Sequence, residues 1–350
     1  MSDAWNDAPI PQDIPRDRWG RPLIIPPEGG KPIAYTRCTT YVGALEDTYN
    51  LGRWQQRMTV AGIASRPDLH LRAASLGLPP DDDGTPAREA EAKRWKTAMD
   101  QVVDDAREAA AASAAATIGT SLHTLTEAID RGQDIGTIPE RYRPHLDNYR
   151  QATQTLTAVE IERFLVHDGL QIGGTADRIV RVDGHDGLII ADVKTGSIEF
   201  GAGKIAMQLA VYAHSDHYDP ATGGRQPIDG IRHDLGIIIH LNAKTGTCAL
   251  YWADLAAGWE AVQLATQVRA WRARKGLLTP ADLTATRPAV DAVEQMTAAR
   301  VDASIRAAID AAASADDLVT LWRSAAARGA WTDLHTAAAK ARLNSLTAPA

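Results

Sequence analysis

Asp177, Asp192 and Lys194 are the residues whose types and spacing could do chemistry. Residues 170–182 and 187–195 are rich in Ile and Val and are separated by Asp183-Gly184-His185-Asp186-Gly187, a strong turn signal, so they read as a hairpin. If Val182 pairs with Gly187 across the loop, Asp177 faces Asp192. Two carboxylates opposed on adjacent strands repel unless something neutralises them. By the period of two, Leu188, Ile190, Asp192 and Lys194 share one face of the second strand, while Ile189, Ala191 and Val193 share the other. Both faces are apolar except at the C-terminal end, where an acid and a lysine are expected only if they act together or sit at the mouth of a site. Lysine is scarce, eight residues against twenty-nine arginines, which makes Lys194 harder to dismiss as casual. The chemistry this set suggests is a divalent cation, Mg²⁺ or Mn²⁺, held between Asp177 and Asp192, with Lys194 beside an attacking water. Hydrolysis of a phosphodiester needs that clamp and that water. A salt bridge between Lys194 and one aspartate accounts for the same residues equally well, and a register slip of one residue would turn Asp177 to the opposite face.

The elements that must position these residues follow from the rest of the chain. Residues 1–34 carry seven prolines and read as an extended arm anchored by Trp5 and Trp19. From Thr39 to about Ser75 the apolar spacing predicts short helices broken near Gly43, Gly52 and Gly62, and residues 86–131 predict one long helix. Helical spacing returns over 203–218, a second hairpin is expected from Leu235–Leu241 and Thr247–Ala253, and a helix follows over 255–275. Ser314 and Asp317 have the spacing of a capping box within an Ala-rich helical tail. The expected class is α/β (α+β), with a mixed, mainly antiparallel sheet flanked by helices and helical additions at both ends. The expected domains are an arm over 1–34, a core over 35–280 and a tail module over 281–350.

Composition narrows the function classes. The chain has 350 residues, a formal charge of -7 and two cysteines, Cys38 and Cys248. That acidity argues against a protein that coats nucleic acid over its whole surface, though not against a local basic groove. Two cysteines cannot supply a four-cysteine zinc site or a four-thiolate iron-sulfur cluster. The acidic, polar start and the shortness of apolar runs such as Ile237–Ile239 lead to an expectation of no signal peptide, no membrane anchor and a cytoplasmic location. No phosphate-binding loop, H-E-x-x-H or G-x-S-x-G motif occurs.

Gly173-Gly174-Thr175-Ala176-Asp177, then Asp192-Val193-Lys194-Thr195-Gly196, then Gln208 and Tyr212, resemble the G-x-x-D, D-x-K-T-G and Q-x-x-x-Y motifs of the RecB-like branch of the PD-(D/E)XK nuclease superfamily. Upstream, Gly119 and His123 resemble the G-x-x-x-H helix motif of the same branch. The wider layout is similar to phage and actinobacterial exonucleases related to the CRISPR-associated RecB-like exonucleases. The resemblance implies a restriction-endonuclease-like core that hydrolyses DNA with one or two Mg²⁺ or Mn²⁺ ions, in recombination, repair or processing. Asp177, Asp192, His123 and the Val193 carbonyl would be metal ligands and Lys194 would assist the water. Gln208, Tyr212 and Thr195 would meet the DNA. Glu160 or Glu162 could complete the metal shell, and His185, His214 and His217 are read as surface residues. Many relatives hold an iron-sulfur cluster, which is not expected here. Expected partners are a DNA substrate and either a second copy of the chain or a recombination protein. A DNA-end or single-strand binding protein that keeps the fold without the activity is the alternative.

Overall fold

The structure is a computed structural model that describes residues 14–81, 83–110, 114–278 and 288–347. It divides into a first unit that ends at Arg274 and a second that begins at Lys275. Among the described residues the proline-rich start of the first unit holds three two-residue strands, β1 (Leu23–Ile24), β2 (Ile33–Ala34) and β3 (Thr36–Arg37). Six helices follow: α1 (Cys38–Val42), α2 (Tyr49–Ser65), α3 (Pro67–Leu76), α4 (Pro86–Ala109), α5 (Ala114–Asp130) and α6 (Arg143–Ala152). The rest of the unit is β4 (Leu156–His167), β5 (Ile172–Val182), β6 (Leu188–Lys194), α7 (Ala202–Ala213), β7 (Asp216–Tyr218), β8 (Arg225–Gln226), β9 (Ile231–Leu241), β10 (Cys248–Asp254) and α8 (Leu255–Arg272). The second unit holds α9 (Pro288–Ala311), α10 (Ala315–Ala327) and α11 (Asp333–Thr347) around Ile305, Ile309 and Leu318. Ser314 and Asp317 close a reciprocal capping box at the start of α10.

One sheet runs in the order β10-β9-β6-β5-β4-β7-β8, with β3 pairing beside β5. Only the β6–β9 and β3–β5 ladders are parallel, so the sheet is mixed and mostly antiparallel with helices on both faces, an α/β arrangement as expected. Ile190 and Ile238 pack with Leu209 of α7 and Val262 of α8 on one face. Ile189, Val193, Ile237 and Ile239 pack with Leu122 of α5 and Leu146 of α6 on the other. β6 is therefore a central strand buried on both sides, which its unbroken apolar sequence anticipates.

The β5–β6 ladder runs Val180↔Ile189, Ile179↔Ile190 and Arg178↔Ala191, the register expected from the Val182–Gly187 loop. It stops there. Beyond Ala191, β6 continues on β9 as far as Lys194↔His240, while β5 continues on β4 and β3. The two strands thus fork where Asp177 and Asp192 stand.

Several expectations are corrected. β4 was not anticipated at all, and it carries Glu160 and Glu162. The helix expected over 203–218 ends at Ala213, and Asp216–Tyr218 pair instead with β4 and β8. α2 runs unbroken through Gly52 and Gly62, and Gly62 serves helix packing, since a Cβ there would overlap the Ala106 carbonyl oxygen of α4. Residues 86–131 form two helices, α4 and α5. Trp19 does not anchor the N-terminal segment, since it is 61% exposed. Ile14, Ile24 and Tyr35 do so by packing on Phe164, Val166 and Tyr218. Trp5 lies outside the described residues. Among the described residues no helix is long and apolar enough to cross a membrane.

Candidate active site

Groups converge on the fork from both faces of the sheet. From the α5 side, the Asp177 Oδ2 atom accepts the Val193 amide at 2.9 Å and meets His123 Nε2 at 2.9 Å. The other ring nitrogen, Nδ1, lies 3.8 Å from Glu162 Oε1. Ile161 and Arg163 pair with Arg178 and Ala176, so Glu162 stands opposite Asp177 on β4. Its φ of 53° is a left-handed conformation rare for a residue with a side chain, which costs on the order of 1–3 kcal/mol and aims the carboxylate at the fork. One ligand atom each from His123, Glu162 and Asp177 lies within 4.8 Å of the others.

The electrostatics of this side follow from its geometry. Burial works to raise the Asp177 carboxyl, but the His123 hydrogen bond and charge and the Val193 amide outweigh it and hold the group below its ordinary value. The same hydrogen bond raises His123. Burial, and then the neighbouring Asp177 charge, push Glu162 up to about 7. Glu162 Oε1 is buried without a hydrogen bond, with the Arg178 guanidinium at 3.7 Å.

The α7 side is drier. Asp192 is 2% exposed, its Oδ2 is 2.6 Å from Lys194 Nζ, and its Oδ1 accepts the Gln208 amide at 3.2 Å. Burial, then the Asp177 charge, raise it to about 6 despite that lysine. The face shared by Asp192 and Lys194 is thus the one β6 turns to α7, as the period of two implies.

The structure brings His123, Asp177 and Val193 together, and beside them Asp192, Lys194 and Gln208. It separates Glu160 from Glu162: Glu160 bonds Arg163 at 2.8 Å and His217 at 2.9 Å and does not join the group. Tyr212 is buried, and a Cβ on Gly174 would stand 2.7 Å from its hydroxyl, so the tyrosine packs under the G-x-x-D segment. Gln208 is likewise buried and spent on Asp192. Thr195 is half-buried against Gly119 of α5. Neither His214 nor His217 is a plain surface residue. His217 is buried, and His214 is half-buried with its ring stacked 4.0 Å from Trp259.

Sequence reasoning missed the support beneath the fork. Arg178 is buried and donates to its neighbour's carbonyl, Asp177 O, at 2.8 Å and to Asp130 at 2.6 Å, while Tyr149 also donates to Asp130 at 2.6 Å. An arginine beside Asp177 in an otherwise apolar strand was the available signal.

This donor set fits a divalent cation. Three carboxylates crowd one end of a sheet, two of them have a buried oxygen without a hydrogen bond, Glu162 Oε1 and the lysine-paired Asp192 Oδ2, and these two are pushed upward by burial and by the Asp177 charge. As imidazolium, His123 faces carboxylates with both nitrogens, and a cation at that point would relieve the same repulsion. The family model of the PD-(D/E)XK nuclease superfamily matches residues 83–316, which includes every residue named at the fork. No curated protein matches the chain.

Proposed function

The chain belongs to the PD-(D/E)XK nuclease superfamily, whose members use divalent metals, and from that premise we propose that it is a DNA exonuclease of the RecB-like branch. The observation that carries the reading is the fork itself: Asp177 and Asp192 part from one ladder while Lys194 stays paired with Asp192 at 2.6 Å. Asp177, Asp192, Glu162, His123 and the Val193 carbonyl would hold Mg²⁺ or Mn²⁺. The bound ion would supply charge stabilisation at the phosphate and a more acidic water. Lys194 holds a proton and a positive charge beside the carboxylate, where it orients the water and offsets charge on the phosphate oxygens. Gln208 fixes the Asp192 rotamer, and Tyr212 supports Gly174 from below. We assign the activity to phage or bacterial recombination, repair or DNA processing, and the second unit to an accessory role.

The test is digestion of linear DNA and of covalently closed circles with Mg²⁺ or Mn²⁺. Linear DNA should shorten while circles survive, and Asp177→Ala and Lys194→Ala should each abolish the digestion. Equal degradation by wild type and both variants would sink the assignment, and cutting of closed circles would remove the exonuclease part alone.

A further inference from the structure

Residues 16–22 form a tight tip: Arg16 bridges Pro22, and the Asp17 carboxylate receives the amides of Trp19 and Arg21 at 2.9 Å each and the Arg21 guanidinium at 2.7 Å. Such a tip ordinarily carries small polar residues at its crest. Here the crest is Trp19, with most of its indole in solvent. The Arg18 guanidinium lies 4.0 Å from the ring centroid and that of Arg21 at 5.0 Å. Arg37 reaches the same turn, its Nη1 3.9 Å from where a Cβ on Gly20 would stand. In a chain of formal charge -7, two arginines therefore lie over one exposed aromatic plane and a third, Arg37, reaches the same turn, with Asp17 as the counter-charge of Arg21. Among the described residues, Arg18 and Arg37 have no carboxylate partner.

The tip is tied to the fork through β5. Arg37 pairs with Gly173, and Pro22 packs against Gly173. Asp177 stands four residues further along the same strand, a span of about 13 Å at the strand rise.

We propose that Trp19, with Arg18 and Arg37, is a stacking platform for the unpaired bases of a single DNA strand on its way to the fork. The proposal rests on the reading of this chain as an enzyme of DNA. A base offers a π-face to an indole only when it is free of its own stack, and every base has one, so such a platform tolerates any sequence. The Arg18 guanidinium over the ring marks a face that a base would occupy, and a base that displaced it would leave this unpaired cation free to turn to the neighbouring phosphates. A continuous duplex has the phosphates but shows no base face.

The experiment is fluorescence anisotropy of a labelled oligothymidine strand, and of a duplex closed at both ends by hairpins, in a chelating buffer that prevents cleavage. Trp19→Ala should weaken binding of the single strand by about 5- to 150-fold and leave the closed duplex unchanged. Trp19→Phe should recover most of the loss, which separates stacking from misfolding. Arg18→Gln with Arg37→Gln should lower the slope of log affinity against log salt by about 1.4 on the single strand. The proposal is overturned if wild type does not bind the single strand, if Trp19→Ala binds it as wild type does, or if both ligands lose the same factor. Because no cleavage is needed, unchanged binding by Trp19→Ala alongside normal digestion removes the platform alone. Selective binding without digestion under any divalent metal removes the nuclease reading alone.

Discussion

The two sides of the fork start from the same residue type at facing positions and reach opposite electrostatic states. Asp177 is held below the ordinary carboxylate value by His123 and a backbone amide, whereas Asp192 is raised to about 6 by burial although a lysine touches it. The difference lies in what each element brings. α5 and β6 deliver two donors to a single Asp177 oxygen, and α7 delivers one neutral amide within a core that excludes water from Asp192. A charged partner 2.6 Å away does not offset desolvation by itself. On the proposed function the contrast would give the sides separate tasks: Asp177 would be the carboxylate ready for a cation, and a bound cation would favour the ionised form of Asp192.

The sharpest way to break that contrast is to neutralise each aspartate in turn. Asp177→Asn and Asp192→Asn should both reduce cleavage on the order of 10³-fold. Calorimetric titration with Mn²⁺ should separate them. Asp177→Asn should lose most of the affinity at every pH, while Asp192→Asn should chiefly remove the fall in wild-type affinity as pH drops through about 6. Equal pH dependence in the two variants would refute separate tasks.

Glu162 gives the next largest effect. Its folded value is raised from 4.5 to about 7, so ionising it disfavours the folded state: its contribution is most favourable below 4.5 and is lost as pH rises through 7. With chelator present, Glu162→Gln should therefore stabilise the protein at pH above that value by roughly 1–3 kcal/mol, with the gain vanishing in acid. Thermal melts at both pH values, with and without Mn²⁺, check this. In wild type the stabilisation by Mn²⁺ should grow across the same window. The Asp177 contribution has the opposite sign, being lost as pH falls, so the two sides of the fork should be separable in a single titration.

The smallest effect is expected at Gln208, whose amide is the neutral contact on Asp192. Gln208→Ala should cost about 1 kcal/mol of stability and reduce kcat several-fold with KM for DNA little changed. A large rise in KM instead would return Gln208 to the role of a DNA contact.

The hairpin at the fork was legible because a short turn and a period of two fix which residues oppose, and the observed pairs from Val180↔Ile189 to Arg178↔Ala191 follow that rule. β4 was not legible. A register shift between Ala158 and Glu160 and the left-handed turn at Glu162 interrupt its alternation, and both distortions arise from tertiary pairing that no local pattern reports. That is why Glu160 and Glu162 could not be told apart in advance. The resemblance implies a DNA contact at Tyr212, but a motif does not report what packs over a side chain, and here Tyr212 is buried beside Gly174 and Cys38. A polar stretch after Tyr212 reads as surface, but Asp216–Tyr218 form a strand that buries His217.

The bond from the Val193 amide to Asp177 Oδ2 is a main-chain donor given to a side chain just where the strands separate. It makes that one amide a spectroscopic gauge of the centre. Its proton chemical shift and exchange rate will move with the charge on Asp177 and with whatever that carboxylate binds, so loading of the fork can be followed at a single backbone resonance without turnover and without altering any residue.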